Sequence, residues 1–419
     1  MNSSEETPKT VVPDSRELAD FRSRAQTWLA ANLTPLARLQ DGSYRNIDAE
    51  QRTATTTARA RAIQRTLFEG GYAGIAYPAE YGGQGLTLEH DRVFREESIG
   101  YEMPGRVFYP TLNILGPTLL AFGTESQKQL HIPRMLSGEE IWLQLLSEPK
   151  GGSDLAGLVT RADLDGDSYI VNGAKTWSTG AQFADFAVCA TRTNWDVPKH
   201  HGITALIIPL HAPGIDIRPI RQINGEEEFC EEFLTDVRVP RDNILGEPNG
   251  GWLVLRGLLK IEHNAVGRTG GANSYNKDVD DLVAMAQRRG LLADAGIRRD
   301  IARLYVHMLA QDLLTVRLSR AMELGLADHA LGGVLKLGSN MTLQERTEIA
   351  MAIAGPAATA WDPASDDDTW SYNYLTARGF AIAGGTLEIQ RNNLGERALH
   401  LEKEPSVEKG IAFRNVKRN

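Results

Sequence analysis

Two changes of hydrophobic period divide this 419-residue chain, and they restrict its fold more than any single motif. Up to about residue 140 the apolar residues recur at helical spacing. Leu18, Phe21, Ala25, Trp28 and Leu29 form one stripe of a helix expected from Asp14 to about Gln40, and further helices are expected over Asp48–Phe68, Leu88–Glu97 and Gly116–Leu136. From Ile141 to about Leu245 the texture becomes short β-rich runs: Trp142–Leu146, Ser168–Val171, Phe186–Thr191, Ile203–Ile208 and Ile215–Ile217. Asp165-Gly166, Asn172-Gly173 and Asn224-Gly225 punctuate them as hairpin signals. From Gly250 helical spacing returns and persists almost to the end. The order α, then β, then α implies an α+β chain with an N-terminal helical domain (1–140), a central antiparallel barrel or sandwich (141–248) and a C-terminal helical domain (249–419).

Two short segments carry most of the chemistry. Ser147-Glu148-Pro149-Lys150-Gly151-Gly152-Ser153-Asp154 sets paired glycines beside a hydroxyl, so that backbone N–H groups can turn toward an anion. Gly173-Ala174-Lys175-Thr176-Trp177-Ser178-Thr179-Gly180 offers an indole face and two hydroxyls after an Asn-Gly turn. Either alone is common in proteins that bind nothing. Together they can wall a flat, phosphate-bearing cofactor from two sides.

In wording and spacing the pair resembles the flavin-contacting loops of the acyl-CoA dehydrogenase family. Further motifs resemble that family in its order: Gly71–Pro78 with Glu80-Tyr81-Gly82-Gly83; Gly123-Thr124-Glu125 and Leu136–Glu139; Asp236–Pro240 with Gly251-Trp252; and Gly385-Thr386-Leu387-Glu388-Ile389-Gln390-Arg391-Asn392. The resemblance implies a C-terminal four-helix bundle, FAD, α,β-dehydrogenation of an acyl-CoA thioester, an electron-transferring flavoprotein as acceptor, and a homodimer or homotetramer. It places Gln144, Leu146 and Ser147 at the flavin's pyrimidine side, and Gly152 and Ser153 at its pyrophosphate, with Ser153 also at the edge of the acyl-CoA site. Trp177, Ser178 and Thr179 fall at the isoalloxazine near N5, and Thr386 and Glu388 at the dinucleotide, often across a subunit boundary. Glu388 stands where the family frequently has glutamine.

A base for the α-proton is still needed. Many family members place a glutamate just before the Gly-Thr of the C-terminal helix, but here that position is Gly384, assigned to the substrate site. The helix after Gly250-Gly251 carries Arg256 and Lys260 on one face and Leu255, Leu258 and Leu259 on the other, with Glu262 among the leucines. By periodicity alone Glu262 reads as an acid paired inside the bundle, to Arg268 for example, or as a desolvated base. The resemblance implies the latter, because a subset of the family carries its catalytic glutamate ten residues after the Gly-Trp tryptophan, and Glu262 stands ten after Trp252. The family's Arg-x-x-Phe-Gly segment is replaced by Gln287-Arg288-Arg289-Gly290-Leu291-Leu292, without Phe-Gly. Relatives with such losses work as hetero-oligomers. Two alternatives therefore stand beside the active dehydrogenase: a half-equipped subunit of a hetero-oligomer, and a flavin monooxygenase or oxidase on the same fold. Members with the base on this earlier helix take branched, long-chain and steroid-derived thioesters, and the missing side chain at Gly384 suits a bulky acyl group.

Composition removes other classes. A net charge of -9 argues against nucleic acid or a polybasic membrane contact, and two cysteines make no disulfide framework. Cys189, within an apolar run, reads as core. No stretch is long and uncharged enough to span a bilayer and no secretory signal opens the chain, so the cytoplasm is the expected compartment. No metal site is expected; His200 and His201 have no ligand partners in sequence. Glu226, Glu227, Glu228, Glu231 and Glu232 read as a solvated rim.

Overall fold

A computed structural model describes residues 15–37, 52–268, 274–324, 326, 331–360, 369–406 and 408–416. The chain forms two compact units: Met1–Arg221 with Glu227–Leu258 and Ala412–Asn419, and Gln222–Glu226 with Leu259–Ile411.

The first unit begins with helices α1 (Ser15–Asn32), α2 (Ala54–Glu69), α3 (Leu88–Ser98), α4 (Gly116–Phe122) and α5 (Glu125–Ser137). Phe21, Ala25 and Leu29 bury the expected face of α1. Residues 38–51 lie outside the described residues, so the expected start of the second helix at Asp48 does too. The helix expected over Gly116–Leu136 is two helices. Gly123 and Thr124 interrupt it, and Thr124 forms a capping box with Gln127 in which each side chain accepts the other's N–H.

Eight strands follow in one sheet: β1 (Trp142–Leu145), β2 (Arg161–Asp165), β3 (Ser168–Thr179), β4 (Phe186–Arg192), β5 (Ile203–Pro209), β6 (Ile215–Ile220), β7 (Phe229–Pro240) and β8 (Ile244–Leu245). The order is β6-β7-β3-β2-β4-β5-β8, with β1 on β4. Most pairings are antiparallel, but β4 runs parallel to both β1 and β2. Ala187, Cys189, Leu206, Ile208 and Val237 are fully buried between the sheet and its cover, and burial pushes the Cys189 thiol up to about 12. Cys189 is a core residue.

Asp165-Gly166 turns the β2–β3 hairpin as expected. Asn172-Gly173 does not turn the chain. It lies inside the twelve-residue β3, at a bulge against β7. A Cβ at Gly173 would sit 2.6–2.8 Å from Thr160 atoms, so this glycine serves a close backbone approach rather than a hairpin. Charges at every second residue of β2, and at Glu231, Glu232, Asp236 and Arg238 of β7, masked these strands in the sequence.

Helix α6 (Gly251–Arg268) belongs to the first unit up to Leu258 and to the second from Leu259. The second unit continues with α7 (Ser274–Arg288), α8 (Ala295–Glu323), α9 (Gly332–Ala354), α10 (Thr369–Phe380) and α11 (Leu387–Asn393). Leu282, Met285, Ala286, Leu304, Ala350 and Ile353 form its core. The last described residues return to the first unit: Phe413 is buried, with the Arg192 guanidinium 3.8 Å from its ring centroid and its N–H donating to the Val197 carbonyl at 2.9 Å. Nothing in the helical periodicity announced that return.

Candidate active site

In the first unit, the two chemistry-bearing segments are physically joined. β1 carries Gln144 and delivers Leu146 and Ser147 to its end, where the Glu148–Gly151 turn closes with reciprocal backbone hydrogen bonds of 3.1 and 2.9 Å. The Thr176 N–H donates to the Ser147 carbonyl at 3.0 Å. Beneath that contact lies a buried ion pair missed at the sequence level. The Lys175 ammonium, fully buried, donates to Glu148 at 2.9 Å and to the Leu146 carbonyl at 3.1 Å. The same carboxylate accepts the Val159 and Thr160 N–H groups at 2.7 and 2.8 Å. Burial opposes the charge on Glu148, but Lys175 and the two N–H donors outweigh it and hold the carboxyl below the usual range. One carboxylate thus fixes the glycine turn, the chain entering β2 and β3 to one another.

Above it the turn stays open. Gly151, Gly152, Ser153 and Asp154 are exposed. A Cβ at Gly151 would meet nothing within 4 Å, and one at Gly152 would meet only Ser147, at 3.4 Å.

Trp177 holds the most unusual backbone of the site. Its φ is +67°, a left-handed conformation that bulky side chains rarely adopt, and it sits on a bulge between Thr176 and Ser178. The result is an indole that is 58% exposed at the end of a strand, edge-on to the Phe229 ring at 5.9 Å. Strain kept at one exposed aromatic points to a site. Thr179 is half-buried, and its carbonyl accepts from Arg52 at 3.1 Å. Ser178 points the other way: it is buried and its hydroxyl donates to Glu232. Its hydroxyl is thereby held within the sheet.

That pairing corrects the reading of the acidic cluster. Glu232 is fully buried, and Glu226 is buried and accepts from the Tyr372 hydroxyl. Glu228 is paired with Arg106 at 2.6 Å. Glu227 alone of the five is exposed. Alternation along β7 points Glu232 inward, a placement that the run of acids concealed.

In the second unit, Thr386 caps α11, accepting the Ile389 N–H at 3.3 Å, and Glu388 is exposed beside Arg391. The α11 α-helix spans only seven residues, so little dipole stands behind its N-terminus. Gly384 has φ +66° and Gly385 φ +91°, and the Gly384 carbonyl accepts from Gln390 at 2.9 Å. The nearest atom to a Cβ at Gly384 would be Lys336 Nζ, at 3.9 Å. That half-buried lysine donates to the Phe380 carbonyl at 3.1 Å. Burial lowers its pKa, and the charge of Glu262 opposes the shift. Lys336 therefore senses Glu262 and adjoins Gly384. Glu262 is half-buried, while the side chain of Arg268, its alternative partner, lies outside the described residues. Arg289, in the segment without Phe-Gly, donates to the Ala354 carbonyl at 2.7 Å.

Within the first unit, the open turn and the outward indole fit a flat cofactor with an anionic arm. Comparison with known proteins agrees. The sequence matches the acyl-CoA dehydrogenase N-terminal domain over residues 15–139, the middle domain over 144–237 and the C-terminal domain over 249–399. It is 33% identical to acyl-CoA dehydrogenase IpdE1 of Mycobacterium tuberculosis over 390 residues, covering 93% of this chain and 99% of that protein. Among solved structures, a steroid acyl-CoA dehydrogenase, Tcur3481-Tcur3483, superposes with a TM-score of 0.77 at 28% identity, over 94% of this chain and 99% of the other. The ChsE4-ChsE5 complex of Mycobacterium tuberculosis superposes at 0.72 with 27% identity, over 94% and 100%. The chain belongs to the acyl-CoA dehydrogenase family.

Proposed function

We propose that this enzyme binds FAD and converts an acyl-CoA thioester to the trans-2-enoyl-CoA, with Glu262 as the α-proton base. The observation that carries the reading is Trp177: a strained, outward indole fixed beside an open glycine turn by the Glu148–Lys175 pair. FAD, when bound, supplies the acceptor for the hydride that leaves Cβ. The residues that would hold it are Gln144, Leu146, Ser147, Gly152, Ser153, Trp177, Ser178 and Thr179, with Thr386 and Glu388 serving its dinucleotide. Ser153 and the Gly384 backbone would meet the thioester, whose carbonyl an N–H donor polarises so that the α-hydrogen becomes acidic. Glu262 then accepts the α-proton, and Lys336 favours its ionised, proton-accepting form. The three-domain division at residues 140 and 248 is part of the same reading.

The lack of a side chain at Gly384 favours a bulky acyl group. A steroid-derived or otherwise ring-bearing thioester is the class we propose, in keeping with the steroid enzyme that superposes on this chain. Electrons would pass on to an electron-transferring flavoprotein, and the cytoplasm is the compartment we propose.

Association with a second chain is part of the proposal. Val306, Leu313 and Val316 on α8 are 59–65% exposed, an apolar stripe that a subunit would cover. The absence of Phe-Gly after Arg289 favours a related chain over an identical one as that subunit. Purifying the chain alone and measuring flavin per chain tests this: near one FAD per chain supports a self-sufficient enzyme, and a colourless protein supports the hetero-oligomer.

A further inference from the structure

The catalytic reading leaves one buried titratable group unused. Glu232 lies in β7 directly opposite Lys175 of β3 and Ile217 of β6. Both Glu232 and Lys175 are fully buried. The lysine's ammonium is turned to Glu148, at 2.9 Å, and to the Leu146 carbonyl. Two buried carboxyls therefore share the neighbourhood of one ammonium, and the better-solvated charge belongs to Glu148. Glu232 accepts from the Ser178 hydroxyl on Oε1, and its Oε2 is buried with no hydrogen-bond partner among the described residues. A charge on such an oxygen is expensive, whereas the neutral acid leaves no buried charge unmatched.

The other groups facing it do not supply a second cation. Glu231 on β7 adds a like charge, and Arg218 on β6 is engaged by Asp216 and the Phe233 ring. The nearby thiols of Cys189 and Cys230 are both raised by burial. Arg52, near Cys230, is directed to the Thr179 and Arg106 carbonyls. Burial, set against the Ser178 hydrogen bond, pushes the Glu232 carboxyl up to about 7.

We propose that Glu232 is a positioning residue for the cofactor: as the protonated acid it holds Ser178, and through it the Trp177 bulge, in the shape that meets FAD. Ionisation strengthens the Ser178 hydrogen bond but puts charge on a buried Oε2 that no hydrogen bond meets, and the hydration that oxygen then demands opens the packing under the bulge. Cofactor affinity is thereby made sensitive to pH near neutrality. The inference rests on the FAD reading above.

The test is FAD affinity, by flavin fluorescence, from pH 6 to pH 8.5 for the parent and Glu232→Gln, with circular dichroism to show that both are folded. If FAD binding raises the Glu232 pKa by about one unit, the parent dissociation constant grows about tenfold across the range. Glu232→Gln keeps a neutral acceptor for Ser178 and cannot ionise, so its affinity should match the parent at pH 6 and stay level. Ser178→Ala severs the link while keeping the acid, and should also flatten the profile. Superimposable profiles for parent and Glu232→Gln overturn the proposal, as does a folded Glu232→Gln that binds poorly at pH 6. A Ser178→Ala profile like the parent's overturns the relay through Ser178. If none of the proteins binds flavin, FAD binding by this chain alone fails, the hetero-oligomer reading stands, and the proposal falls. If flavin binds without the pH effect, only the role of Glu232 falls.

Discussion

At Trp177 a left-handed backbone conformation and an exposed indole coincide, which suits the proposed contact with a flat cofactor. Trp177→Ala should weaken FAD by about tenfold, since aromatic stacking is worth about 0.5–1.5 kcal/mol beyond buried area. Trp177→Phe should keep most of the affinity. Flavin content and the visible spectrum of the purified variants check both, and an Ala variant with parental spectrum and content removes Trp177 from the site. Lys336 allows a second prediction. Lys336→Met removes the cation that favours ionised Glu262, so the pH at which flavin reduction reaches half its maximal rate should move upward. An unmoved pH–rate profile would disconnect Lys336 from the base. The exposure of Trp177 and the half-burial of Glu262 agree with an indole between hydroxyl residues and an acid among leucines, while the roles proposed for them came from the family resemblance. The Lys175–Glu148 pair could not be read from the sequence, because a lysine and a glutamate in polar segments look solvated until the strands bring them together inside.

At the level of elements, the glycine turn and the end of β3 behave as one piece because Glu148 binds both. Removing one partner of a buried pair leaves the other uncompensated, so Lys175→Met should cost about 3–5 kcal/mol of stability in urea unfolding. Adding Glu148→Gln to it should recover part of that loss. The pair also has a pH signature. The folded-state pKa of Glu148 is depressed, so its contribution is present above the unfolded carboxylate value and fades as pH falls through the folded one. The parent should accordingly lose stability on acidification more steeply than the double variant, as urea midpoints will show. Strand β3 shows why the sequence misled here. Asn172-Gly173 is a strong hairpin signal, yet the approach of Thr160 and the register of β7 keep the chain extended and turn the glycine into a bulge. Long-range pairing overrode local turn chemistry. The Asp165-Gly166 turn, with no such neighbour, formed as expected.

Across the molecule, the α, β, α succession was readable because each stretch is long and keeps one hydrophobic period. The return of Phe413 to the first unit was not, because a short polar segment carries no period. The apolar stripe on α8 makes a prediction at this scale. Leu313→Glu with Val316→Glu should weaken association while leaving the secondary structure unchanged, as sedimentation and circular dichroism would report. An unaltered oligomeric state would place the interface elsewhere. The central claim joins cofactor, substrate and base in one observation: anaerobic mixing of the flavin-loaded protein with a ring-bearing acyl-CoA, followed by flavin absorbance. The parent should bleach its flavin, and Glu262→Gln, with flavin and thioester still bound, should bleach about 10²–10⁴-fold more slowly. A flavin-loaded parent that does not bleach with any acyl-CoA it binds, or a Glu262→Gln variant that bleaches at the parental rate, would contradict the account.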